Sequence, residues 1–221
     1  MKNIVCVHTG AGAGIFGAIE TEIKDHIKED CRISHITNPG IIAEVSEANG
    51  VTRHAASELM DMYMTAVNSG ADIILNMCSS VGEVADAAEP LLEMTSTKII
   101  RVDHGMCAKA VEKYERIGVV ATLESTLTPS CRLLEKCAKR QGKEVQIQKI
   151  LANGAFGLGG EELKNQLVKA IEPYADKVDA LVFAQASTCF CADAVSEYFQ
   201  KPVLTSPKYA AEEVAKAAKE Q

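Results

Sequence analysis

The sequence predicts an α/β fold with mostly parallel sheets, built from two similar halves. Three observations carry this. Short apolar, β-branched runs alternate with helical segments almost throughout the 221 residues. Asp179-Ala180-Leu181-Val182-Phe183-Ala184-Gln185 echoes Asp72-Ile73-Ile74-Leu75-Asn76-Met77-Cys78, and Lys201-Pro202-Val203-Leu204-Thr205 echoes Lys98-Ile99-Ile100-Arg101-Val102. Finally, Ile73-Ile74-Leu75 is the kind of run buried on both faces, as strands of parallel sheets are.

In order, residues 4–8 form a first strand, the glycine-rich stretch 10–14 a turn, and about 15–27 a helix. Residues 32–37 alternate as a second strand, which Asn38-Pro39-Gly40 stops. A long helix over 52–68 carries Ala55, Leu59, Met62, Met64 and Ala66 on its apolar faces. The third strand, 73–75, ends at Asn76, and Ser79 and Ser80 are positioned to cap a helix over 81–92. A fourth strand (98–102) and a helix (104–114) follow. The pattern then restarts with strands at 117–122, 145–150, 179–185 and 201–205, and helices at 127–140 and 161–171. A flexible connection covers 153–160, and the last helix, 209–219, returns to the first half. The expected division is residues 1–97, completed by 207–221, and a second lobe over 98–206.

Composition narrows the class. Hydrophobic residues are 47% and charged residues 24%, as in ordinary soluble globular proteins. The net charge of −7 comes without a basic cluster, which argues against nucleic acid or anionic membrane as partner. The start runs straight into a strand without a signal-peptide core, and eight cysteines in so core-rich a chain need no disulfide framework. Both readings predict a cytoplasmic protein with reduced thiols. No C-x-x-C pair or histidine doublet has metal-ligand spacing; Cys189-Phe190-Cys191 stands alone. No metal is expected.

Cys78 falls between a strand end and a helix start, at the carboxyl edge of a parallel sheet where ligands bind. The positive helix end and its unpaired amides favour thiolate over thiol and would hold a substrate carboxylate. Thr9, Asn76, Ser79 and Ser80 stand at the neighbouring strand ends and turn. His8, ending the first strand, is placed to take the thiol proton, and His104 invites the same question; His26, His35 and His54 receive no role.

An ordered set of short motifs goes further: His8-Thr9-Gly10, Gly50-Val51-Thr52, Asn76-Met77-Cys78-Ser79-Ser80, Val102-Asp103-His104-Gly105-Met106, and Gly118-Val119-Val120-Ala121-Thr122 with Thr126. Together they resemble the aspartate/glutamate/hydantoin racemase superfamily over nearly the whole chain. The resemblance implies two flavodoxin-like lobes with an active-site cleft between them, and neither metal nor pyridoxal phosphate. It implies proton transfer next to the carboxylate of a small amino acid or related acid, with one cysteine per half on opposite faces of the α-carbon. Cys78 matches the first cysteine, Ser79 and Ser80 the residues that grip the carboxylate, and Thr122 and Thr126 the second hydroxyl cluster. Homo-oligomers, dimers above all, are the usual assembly for such enzymes.

The chain departs from that pattern in its second half. Aligning the halves by Asp72 and Asp179 sets Gln185 opposite Cys78 and Ser187 opposite Ser80. Cys189 or Cys191 can supply the second thiol only if the turn is longer or the helix starts later than drawn. Otherwise one cysteine performs one-sided chemistry, as in the decarboxylating and cis–trans isomerising branches of the superfamily. Two rivals stay open: a nucleotide binder using Gly12-Ala13-Gly14-Ile15-Phe16-Gly17, and a carboxylate-binding protein whose thiol is incidental.

Overall fold

The computed structural model describes residues 1–10, 13–28 and 30–220. Among them the chain divides into two units, Met1–Val102 with Pro207–Gln221, and Asp103–Ser206. In the first unit the strands are β1 (Lys2–His8), β2 (Cys31–Thr37), β3 (Ile73–Asn76) and β4 (Lys98–Arg101). They pair in the order β2-β1-β3-β4, all parallel. Strand β1 runs through the middle, which its apolar residues Ile4 to Val7, all essentially inaccessible, explain.

Side chains alternate across the sheet, so each face has its own core. Ile4, Cys6, Ile73, Leu75 and Met77 pack with Ile19 and Ile23 of α1 (Ala13–His26) and with Ala210, Ala211 and Val214. Those last three belong to the C-terminal helix, here α9 (Ser206–Glu220). Val5, Val7 and Ile74 face α2 (Pro39–Glu47), α3 (Arg53–Asn68) and α4 (Gly82–Glu93), through Ile41, Leu59, Tyr63 and Ala85 among others.

Three expectations are corrected. Asn38-Pro39-Gly40 ends β2 but also starts α2, because the Asn38 carboxamide oxygen accepts from the Gly40 N–H (3.1 Å) and Pro39 supplies the fixed φ of a first helical residue. The division at 97/98 moves to 102/103: β4 pairs with β3, Ile74 facing Ile99, and so completes the first sheet. Ser79 and Ser80 do not cap a helix by their side chains; they lie inside a 3₁₀ turn, Ser79–Val81, and α4 begins at Gly82.

The second unit repeats the plan. Strands β5 (Arg116–Ala121), β6 (Gln146–Leu151), β7 (Ala180–Phe183) and β8 (Val203–Thr205) pair in the order β6-β5-β7-β8, again all parallel. The remaining helices are α5 (His104–Lys113), α6 (Glu124–Gln141), α7 (Gly160–Ile171) and α8 (Ala192–Phe199). Leu163, Leu167, Ile171 and Val195 of α7 and α8 cover Val120, Leu181 and Phe183 on one face. The fourth-strand echo is one residue out of step. Leu181 pairs with Val203 as Ile74 pairs with Ile99, so Val203, not Pro202, answers Ile99. No helix among the described residues is long and apolar enough to cross a membrane.

Candidate active site

The strand registers make the two carboxyl edges comparable residue by residue. Val7 pairs with Asn76 and Val120 with Phe183; the next amides, Met77 and Ala184, donate to the Val7 and Val120 carbonyls, each at 2.9 Å. Cys78 and Gln185 are therefore equivalent, and so are Thr9 and Thr122. On the second edge the Thr122 N–H and hydroxyl donate to Gln185 Oε1 at 2.6 and 2.9 Å; on the first, the Thr9 side chain favours the Cys78 thiolate.

Cys78 is the residue before the 3₁₀ turn, with extended φ and ψ of −125° and 113°. Besides Thr9, the Ser80 and Val81 amides and the Ser80 hydroxyl favour the thiolate form of Cys78. Below it, Asn76 is fully buried: its amide nitrogen donates to the Cys78 carbonyl (3.0 Å) and its oxygen accepts from the Tyr63 hydroxyl (3.0 Å). Asn76 thus shapes the turn from inside. Ser79 Oγ is buried and makes no hydrogen bond among the described residues. A buried hydroxyl without a partner calls for one, here within a residue of the thiol.

Burial works against the thiolate that the helix end is expected to favour. It pushes the Cys78 pKa up, and the Thr9, Ser80 and Val81 groups only offset that in part.

His8 makes its hydrogen bond and ring contacts with His35 and Phe16. It shares a sheet face with Cys6, two residues back on β1, whereas Cys78 packs against the cluster on the other face. Its Nε2 is 2.9 Å from His35 Nδ1, and its ring lies 4.0 Å from Phe16 of α1. Burial first, then the neighbouring His35, pushes the His8 imidazole down to about 4, so it is neutral at pH 7. Thr9, one residue on, is buried and favours the Cys78 thiolate.

In the second unit, a six-residue 3₁₀ segment, Ala186–Cys191, follows Gln185, and α8 starts only at Ala192. The helix starts later than drawn, so Cys189 and Cys191 both lie in the turn. They differ in setting: Cys191 is buried against the α7 side, its sulfur 3.9 Å from the Gly160 carbonyl, whereas Cys189 is partly exposed. Ser187 is exposed. Thr122 and Thr126 are buried at the start of α6, and Ser125 Oγ between them is, like those of Ser79, Ser130 and Ser206, a buried hydroxyl without a partner among the described residues. His104 opens α5.

The dinucleotide reading falls partly on Ala11 and Gly12, which lie outside the described residues. The third glycine of such a fingerprint allows close helix–strand packing, yet a Cβ on Gly17 would meet nothing within 4 Å. Phe16, between the last two glycines, stacks on His35 with ring centroids 4.8 Å apart.

No protein-family model and no curated protein matches the chain. Solved structures do match over nearly all of it. A glutamate racemase isoform of Bacillus anthracis superposes with a TM-score of 0.77 at 15% identity, over 99% of this chain and 82% of that one. The allantoin racemase of Klebsiella pneumoniae gives 0.66 at 15% identity, over 99% and 88%. A mutant of arylmalonate decarboxylase gives 0.54 at 15% identity, over 98% and 93%. The chain therefore has the fold of the aspartate/glutamate/hydantoin racemase superfamily.

Proposed function

We propose that the protein is an isomerase of the racemase or epimerase type, moving a proton at the carbon next to the carboxylate of a small amino acid or related acid, with Cys78 as the thiol that carries it. The observation that carries this reading is the buried Ser79 hydroxyl, without a partner among the described residues, one residue from Cys78, where the Thr9 and Ser80 side chains and the Ser80 and Val81 amides favour the thiolate. As thiolate, Cys78 takes the α-proton and becomes a thiol; Ser79 holds the substrate carboxylate, whose oxygens take up the charge that develops. Cys189, the partly exposed thiol of the second turn, delivers a proton to the opposite face and is left as thiolate, so the reverse reaction uses the same pair with roles exchanged. Thr122 and Thr126 complete the hydroxyl set at the second carboxyl edge.

Gln185 favours a second reading. It occupies the Cys78 register, has no titratable group, and its oxygen is held by Thr122. If Cys189 carries no proton, the same Cys78 chemistry is one-sided: decarboxylation or cis–trans isomerisation of a related acid. Chiral chromatography of single enantiomers of amino acids, hydantoins and hydroxy acids incubated with the protein separates the two readings. Racemisation by the parent, lost in Cys78→Ala and in Cys189→Ser, is the expected result. Racemisation that persists unchanged in Cys189→Ser removes that residue from the mechanism.

A further inference from the structure

We propose that Cys6, His8 and His35 form a binding site for a zinc-class divalent cation, on the sheet face opposite Cys78, with Glu20 orienting His35. Strand geometry brings the three together. Cys6 and His8 are two residues apart on β1 and so share a face, and His35 of β2 is the register partner of Cys6. One donor atom from each lies within 4.8 Å of the other two. The set is one sulfur and two imidazole nitrogens, the ligand chemistry that zinc and its borderline neighbours prefer over magnesium or calcium.

The surroundings are those of a supported ligand. Glu20 of α1 lies 2.9 Å from His35 Nε2 and is itself held by Lys24 at 2.8 Å. The two Glu20 carboxylate oxygens accept from Lys24 and from His35 respectively. His35 Nε2 therefore carries the proton, and Nδ1 presents its lone pair toward His8 and Cys6. Without metal, His8 Nε2–H donates to that lone pair across 2.9 Å. Metal binding replaces the shared proton: His8 moves its proton to Nδ1 and turns the Nε2 lone pair to the ion, and Cys6 releases its thiol proton to solvent. Phe16 stacks on the His35 ring (interplanar 7°) and meets the His8 ring at a 44° tilt. Three protein donors leave a fourth tetrahedral position for water. The His35 side chain is 18% exposed, which gives the ion a way in, while Cys6 and His8 are buried. No step of the Cys78 chemistry runs through this site.

The test is a cobalt(II) titration of the full chain after chelator treatment, followed by absorption and by competition with a chromophoric chelator. The expected result is one equivalent bound per chain, with tetrahedral and sulfur-to-cobalt bands, displaced by zinc. Cys6→Ser abolishes the sulfur band, Glu20→Gln weakens binding roughly ten- to a hundredfold, and Cys78→Ala changes nothing. Absence of stoichiometric uptake, a sulfur band that survives in Cys6→Ser, or a band lost in Cys78→Ala overturns the assignment. Should Cys6→Ser fail to fold, His35→Gln and Glu20→Gln, at partly exposed positions, decide: unchanged affinity in both overturns it equally.

Discussion

Replacing Thr9 by valine removes the first of the groups that favour the Cys78 thiolate while keeping the shape of a side chain that is almost completely buried. A hydrogen bond to a charged acceptor contributes about 1.5–3 kcal/mol, and that much stabilisation of the thiolate is lost. The remaining thiolate is more basic and regains about half of the loss as nucleophilicity. The net expectation is a roughly four- to twentyfold slower reaction of Cys78 at fixed pH. The assay is modification by a small neutral disulfide, quenched with acid at intervals and mapped by mass, since the chain has eight cysteines to tell apart. Thr122→Val, the equivalent change in the other unit, is the control and leaves the Cys78 rate alone. A Thr9→Val protein that keeps its far-UV circular dichroism and modifies Cys78 at the parent rate would refute the donor arrangement.

Burial raises the Cys78 pKa, so its modification rate should still be climbing as pH passes 9; a plateau reached below pH 8 would show a thiolate already formed at rest. Gly82→Ala puts a methyl group into the Arg101 guanidinium, which is buried and bound to Asp86 at 3.0 Å, and should lower the urea midpoint by the equivalent of about 1–3 kcal/mol. Gly17→Ala, whose Cβ meets open space within α1, should instead stabilise by roughly 0.5–1 kcal/mol; equal effects of the two substitutions would contradict the packing described. Asn76→Ala strands the Tyr63 hydroxyl and frees the Cys78 carbonyl, costing about 1–3 kcal/mol in urea unfolding and loosening the turn enough to slow Cys78 modification as well.

Much of this architecture is legible in the chain because a parallel strand buried on both faces has little choice of composition. The run 73–75 and its echo at 180–182 locate the two central edges, and the registers confirm Gln185 in the place of Cys78. Errors arise where one residue serves two local structures. Asn38-Pro39 reads as a stop because proline ends a strand, yet the same pair is a helix cap followed by a first helical residue. Ser79 and Ser80 read as caps, but the chain tightens into a 3₁₀ turn first, and their hydroxyls serve the thiol or stand unpartnered. His8 and His35 are the instructive case. Strand alternation already sets His8 with Cys6 and away from Val7, and this could have separated His8 from the Cys78 face. That His35 joins them depends on which strand neighbours β1 and in what register, and spacing within one segment does not carry that information.

The most direct measurement for the central claim is deuterium wash-in. The parent protein and Cys78→Ala would be incubated in D₂O with amino acids, hydantoins, hydroxy acids and dicarboxylates, and each α-proton followed by NMR. The account predicts exchange of at least one compound by the parent and none by Cys78→Ala. Exchange by Cys78→Ala at the parent rate would contradict it.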